Sequence, residues 1–211
     1  MRITIVFDND LWTEGLRASW GFSCLVEAYG KKILFDTGSN GTMLLENLKK
    51  LNIDLIAIDL IFISHAHGDH TGGLRDILRM HQVPVYVPDS YSIHMKGIEI
   101  VKVKGILKIS ENIFSTGELK GIEQSLMINT EKGIVVIVGC SHPGVNAILN
   151  VVSQFGNIMA LIGGLHGFNR FDLIKELQYI CPAHCTKHKL KIKALYPLKY
   201  IKGGVGRVIT L

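Results

Sequence analysis

One segment constrains this chain more than any other: Ser64-His65-Ala66-His67-Gly68-Asp69-His70-Thr71-Gly72-Gly73. It closes the span Ile58–Ser64, whose run Leu60-Ile61-Phe62-Ile63 is apolar throughout, as a strand covered on both faces must be. Imidazole nitrogen and carboxylate oxygen are preferred ligands of zinc and related divalent ions. Three imidazoles and one carboxylate between His65 and His70 are therefore too dense for a merely solvated turn. Leaving the strand, His65 and His67 can point to one side and Asp69 and His70 to an adjacent one, and the glycines let the backbone curl tightly enough for both.

Two metals need more ligands than this loop offers. Three other segments place a histidine just past a strand end, where the sites of layered α/β folds gather. The strand Ile134–Val138 runs into Gly139-Cys140-Ser141-His142-Pro143-Gly144, and Ile158–Ile162 into Gly163-Gly164-Leu165-His166-Gly167. Cys181-Pro182-Ala183-His184-Cys185 precedes the last helix. His81, His94 and His188 lack such a setting and are read as bystanders. Cys140 reads first as a small buried hydrophobe and second as a ligand. Cys181 and Cys185 lack the second Cys/His pair that a separate structural zinc site needs.

The rest of the pattern gives the fold class. Strands are expected at Arg2–Phe7, at Ser23–Ala28 and Lys32–Phe35 as a hairpin, and at five or so short runs between Val83 and Val138. Helices are expected at Thr42–Leu51, Leu74–Met80, Val145–Phe155, Phe171–Ile180 and Lys187–Leu195. Two strand-rich halves, each finishing with helices, predict an α/β protein built as a four-layer α/β/β/α sandwich; a single parallel α/β sheet is the competitor. A length of 211 residues suits one domain over 1–211. No run of about 18 apolar residues exists, so no membrane span is expected, and the start of the chain lacks signal-peptide features, which predicts a cytoplasmic protein. The net charge of +5 suits a small anionic substrate, whereas the lack of a basic patch interleaved with aromatics argues against nucleic acid. A homo-oligomer is compatible with everything in the sequence.

On these residues the whole chain resembles the metallo-β-lactamase superfamily. His65-x-His67-x-Asp69-His70 matches its signature, and Phe35-Asp36-Thr37-Gly38 the acidic strand end before it. More narrowly it is similar to the subgroup of dihydropterin–ribofuranosylaminobenzene phosphate synthases and related hydrolases. That likeness rests on Asp8-Asn9, Gly21-Phe22-Ser23, Gly139-Cys140-Ser141-His142-Pro143-Gly144, Gly163-Gly164-Leu165-His166 and Pro182-Ala183-His184-Cys185-Thr186. The resemblance implies two divalent metal ions, zinc first among the candidates and manganese or iron next. It implies His65, His67 and His142 on the first metal, Asp69, His70 and His184 on the second, and Asp36 orienting a ligand ring.

Two departures matter. Most members carry a bridging Asp after the strand that here ends in Cys140, so Cys140 or His142 must fill that role, or the bridge is missing. If His142 bridges, Glu123 is the nearest candidate for the first metal's third ligand. The subgroup usually has Gly where Lys187 stands, a residue that could contact substrate phosphate or simply face water. The implied function is a metal-dependent hydrolase acting on a small anionic, phosphate-containing ester. Asp69 would accept the hydrogen bond of the attacking water, and His166 would contact the substrate as proton donor. A pterin-pathway transferase and a non-catalytic metal-bound ligand sensor are the alternatives.

Overall fold

The computed structural model describes residues 1–211. Its first sheet contains β1 (Arg2–Phe7), β2 (Ser23–Ala28), β3 (Lys31–Phe35), β4 (Leu60–Phe62), β5 (Val85–Pro88), β6 (Ile100–Val103) and the final strand β13 (Val208–Thr210). The order across it is β13-β1-β2-β3-β4-β5-β6. The second sheet holds β7 (Leu107–Ser110), β8 (Ile113–Ser115), β9 (Leu126–Thr130), β10 (Gly133–Val138), β11 (Ile158–Gly164) and β12 (Tyr179–Ala183), ordered β12-β11-β10-β9-β8-β7.

Strand residues alternate between two faces, and here both faces are apolar. In the first sheet Cys24, Val26, Ile33, Phe35, Leu60 and Phe62 face the second sheet, where they meet Ile128, Val135, Ile137, Ala160 and Ile162. Their neighbours Leu25, Leu34, Ile61 and Ile63 point the other way, onto α1 (Gly41–Lys50) and α3 (Leu74–Met80) through Leu44, Leu48, Ile77 and Leu78. The second sheet does the same: Ile134, Val136, Val138 and Leu161 pack on α4 (Val145–Val152) and α5 (Lys189–Leu195) through Val145, Ile148, Val152 and Ile192. Three apolar layers between four layers of elements make an α/β/β/α sandwich, as expected. No helix is long and apolar enough to cross a membrane.

The sequence reading fails in three places. The expected helix Phe171–Ile180 is a 3₁₀ turn, Phe171–Ile174, followed by β12. Phe171, Ile174 and Leu177 are buried as helical spacing demands. Pairing wins, however: β12 lies parallel to β11 on one side, and Ile180 exchanges backbone bonds with Lys199 and Ile201 on the other. α4 stops at Val152 rather than Phe155, whose ring is exposed. The edge strand β7 was not foreseen, because only Leu107 and Ile109 mark it.

Strand direction places the site. β1 and β3 each run antiparallel to β2, so they share a direction, and β4 runs parallel to β3. In the other sheet β10, β11 and β12 are mutually parallel. The carboxyl ends of these six strands meet at one edge of the sandwich, and every histidine-bearing segment singled out above follows one of them.

Candidate metal centre

The chain turns sharply at four of these strand ends. Asp36, Ser141, His166 and His184 all have positive φ, between 44° and 60°, backbone conformations that cost energy and persist only where the surroundings enforce them. Gly139 has no alternative: a Cβ there would lie 2.1 Å from Ser64 Oγ and 3.1 Å from His65 Nδ1. The end of β10 can therefore close on the histidine loop only through glycine. The loop itself is not all coil, since Gly68–Thr71 forms a short helix, α2, that carries Asp69 and His70.

Five imidazoles converge. Ring centroids lie 4.6 Å apart for His65 and His67, 4.2 Å for His65 and His70, and 4.7 Å for His65 and His142. His67 and His142 are 4.8 Å apart, and His70 and His184 5.0 Å. Three rings are fixed from outside by one nitrogen, which leaves the other for the centre. His70 Nδ1 meets Asp36 Oδ2 at 2.7 Å, His65 Nδ1 meets Ser64 Oγ at 2.9 Å, and His184 Nδ1 meets Asn9 Oδ1 at 2.9 Å. Such outer partners set tautomer and ring angle. Asp36 does more: it also accepts from the Ser64 N–H and hydroxyl, both at 2.7 Å.

The inward nitrogens suit a cation. His142 Nε2 and His184 Nε2 are buried with no hydrogen-bond partner. Burial, then the His67 and His166 rings, push His142 down to about 4; burial, then His70, pushes His184 down to about 3. Burial and the neighbouring imidazoles drive His65 further down still. At neutral pH these three rings are uncharged, the form that binds metal. His65 Nε2 and His67 Nδ1 stand 3.1 Å apart; two nitrogens on one tetrahedral zinc would be about 3.3 Å apart, from Zn–N bonds of 2.0–2.1 Å. Two sets of ligand atoms lie within 4.8 Å of one another: His65, Cys140 and His142, and His70, Cys140 and His184. The donor set therefore fits two divalent ions.

Asp69 stands beside the second set, its Oδ2 3.2 Å from His184 Nε2 and 3.9 Å from His70 Nε2. Burial works against its charge, but His70, its own backbone and His184 hold it below the usual carboxylate range. His166 is exposed on the rim, its ring 5.2 Å from that of His142. With His142, Leu165 and Phe168 it lines a shallow pocket of ≈ 270 Å³. The largest cavity, ≈ 680 Å³ beside α1, contains no histidine. Lys187 is exposed, and its tie to the site is through its backbone N–H, which donates to His166 O at 2.9 Å.

Glu123 is not turned to the metal positions. Its Oε1 accepts from the N–H groups of Gly139, Cys140 and Ser141, each at 3.0 Å, and its Oε2 from His142 N–H at 2.8 Å. With four donors on two oxygens, the carboxylate holds the loop that presents Cys140 and His142, and it belongs to neither set of clustered ligand atoms. Three supporting residues had no role at the site assigned from the sequence, although Asp8-Asn9 carries part of the family likeness. Asp8 Oδ1 accepts from His184 N–H, Asn9 holds that ring, and the Trp20 ring lies 4.8 Å from it. All three sit in the β1–β2 connection, far from His184 in sequence, so only Asp8-Asn9 at a strand end hinted at them.

Comparison with known proteins bears on this geometry. A family model described as the metallo-beta-lactamase superfamily matches residues 21–142, a span that takes in Asp36, the cluster at 65–70 and His142. The 7,8-dihydropterin-6-methyl-4-(beta-D-ribofuranosyl)-aminobenzene-5'-phosphate synthase of Methanocaldococcus jannaschii is 28% identical, over 87% of this chain and 84% of its own length. A ribonuclease Z of Nanoarchaeum equitans is 35% identical, but over 49% of this chain and 32% of its own. Among solved structures, a metal-dependent hydrolase of the beta-lactamase superfamily superposes with a TM-score of 0.82 at 26% identity, covering 100% of this chain and 99% of that one.

Proposed function

The chain belongs to the metallo-β-lactamase superfamily, and from that premise we propose that it is a metal-dependent hydrolase of a small, anionic, phosphate-containing ester. The observation that carries the reading is the pair of ligand sets at one edge of the sandwich, with the buried Nε2 atoms of His142 and His184 among them left without a hydrogen-bond partner. His65, His67 and His142 would hold one ion, and Asp69, His70 and His184 the other, with zinc the ion best matched to this nitrogen-rich set. When bound, the two ions would acidify water and clamp anionic oxygens.

The protein's own groups do the rest. Asp69, ionised at neutral pH, accepts the hydrogen bond that orients the attacking water. His166, on the rim and outside both ligand sets, reaches the leaving-group oxygen and delivers its proton. Lys187, beside it, supplies a positive charge for phosphate. Asp36, Ser64 and Asn9 fix the rings so that none of these distances must be found anew in each turnover.

The experiment is a panel of phosphodiesters, phosphomonoesters, thioesters and lactones offered to zinc-reconstituted protein. Hydrolysis of a phosphate ester that a chelator abolishes and zinc restores is expected. The relative from Methanocaldococcus jannaschii favours a second reading, a transferase that joins a dihydropterin pyrophosphate to an aminobenzene ribofuranosyl phosphate. A condensed product by mass spectrometry, without hydrolysis in the panel, would select it. A fully loaded protein that turns over nothing in either assay would leave the non-catalytic sensor.

A further inference from the structure

The two ligand sets share one atom. Cys140 Sγ belongs to the group with His65 and His142 and to the group with His70 and His184. It lies 3.2 Å from His70 Nε2, near the S···N separation of about 3.6 Å that a tetrahedral zinc imposes with Zn–S of 2.3 Å and Zn–N of 2.0–2.1 Å. We infer that Cys140 binds as a thiolate shared between the two ions, which makes it the bridge of the centre. This inference rests on the reading of the histidine cluster as a dinuclear site.

The ordinary role of a cysteine after a strand is a small apolar filler, and the structure separates Cys140 from that role. Cys24 and Cys181 are such fillers: both sit in the apolar layer between the sheets. Cys140 is as buried as they are, yet it joins none of the three apolar clusters. Its backbone N–H donates to Glu123, and its Sγ lies among the imidazoles rather than in the apolar layer between the sheets. Cys185, the other cysteine outside the apolar layers, has its Sγ 3.9 Å from Cys140 O and belongs to neither ligand set.

Chemically the step is an exchange: the S–H bond of Cys140 breaks, its proton passes to solvent, and the sulfur lone pairs form bonds to the two cations. No electron changes hands. A soft sulfur at the shared position also biases the centre toward zinc, cobalt or cadmium and away from magnesium or manganese.

The test is cadmium-113 NMR and cobalt(II) absorption of the full chain reconstituted with each metal, compared with Cys140→Ser and Cys185→Ser, with circular dichroism as the check on folding. Two cadmium resonances are expected, both deshielded by sulfur, and both should move upfield in Cys140→Ser but stay in place in Cys185→Ser. The cobalt form should show a near-ultraviolet sulfur-to-metal charge-transfer band that only Cys140→Ser abolishes. Movement of one resonance alone makes Cys140 a ligand of a single ion and overturns the bridge. A band that follows Cys185 overturns the assignment. Bound metals without any sulfur signature refute the bridge but spare the metal centre, whereas failure to bind cadmium or cobalt at all refutes both.

Discussion

Removal of the Glu123 carboxylate should be the most damaging single change outside the ligands themselves. Glu123→Ala leaves four N–H groups, on Gly139, Cys140, Ser141 and His142, without their acceptor. A buried donor left unpaired costs about 1–3 kcal/mol, so the loss from four of them lies on the order of 4–12 kcal/mol before relaxation. Against this stands the cost of burying the carboxylate, which raises its pKa above the usual range and amounts to several kcal/mol that the variant no longer bears. The net loss should still be about 2–5 kcal/mol, a large part of a typical 5–15 kcal/mol stability. Glu123→Gln is the informative companion. It keeps an oxygen for three of the donors and turns an amide against His142 N–H, so it should cost less stability than Ala yet still loosen the metals. Urea unfolding of the metal-free proteins and metal content by mass spectrometry would measure both. An Ala variant within about 0.5 kcal/mol of the parent, with full metal occupancy, would show that the loop does not depend on this carboxylate.

Three further outcomes are expected. His166→Ala should retain its metals and lose turnover by about 10²–10⁴-fold, as for a general acid; loss of a full metal equivalent in the same preparation would instead make His166 a ligand. Asp36→Asn should weaken metal binding by about 10–100-fold, the usual price of a lost ring-orienting partner, while a competition titration with a chelator that shows no change would remove Asp36 from that role. Asp8 is pushed by burial from 3.8 up to about 6, so its contribution to stability is full below about pH 3.8 and is lost as pH rises through about 6. In metal-free protein the gap between Asp8→Asn and parent should therefore widen in favour of the variant by up to about 3 kcal/mol from pH 4 to pH 7, at about 1.4 kcal/mol per pKa unit. A gap that is flat across that range would contradict the burial argument.

By itself, the sequence determined the superfamily and the architecture. Four ligand-type residues between His65 and His70, just past an apolar strand, are a local pattern. So are histidines at 142, 166 and 184 after strand ends, and apolar strand runs that demand cover on both faces. Local patterns survive in one dimension, so the ligand-rich edge and the layered sandwich were legible before any coordinates. What tertiary structure decided were relations between segments far apart in the chain. Glu123 reads equally well as a ligand or as a loop anchor until its distance to the backbone of Gly139–His142 is known. Cys140 reads as apolar filler until both imidazole sets are seen around its sulfur, and Asp8 and Asn9 say nothing of His184, some 175 residues on. The segment Phe171–Ile180 failed for the same reason: its apolar spacing is helical, but β11 and the backbone of Lys199 and Ile201 offer hydrogen bonds that outweigh local preference. Hydrogen bonding and metal geometry act through space at distances of about 3 Å, and sequence separation carries no record of them.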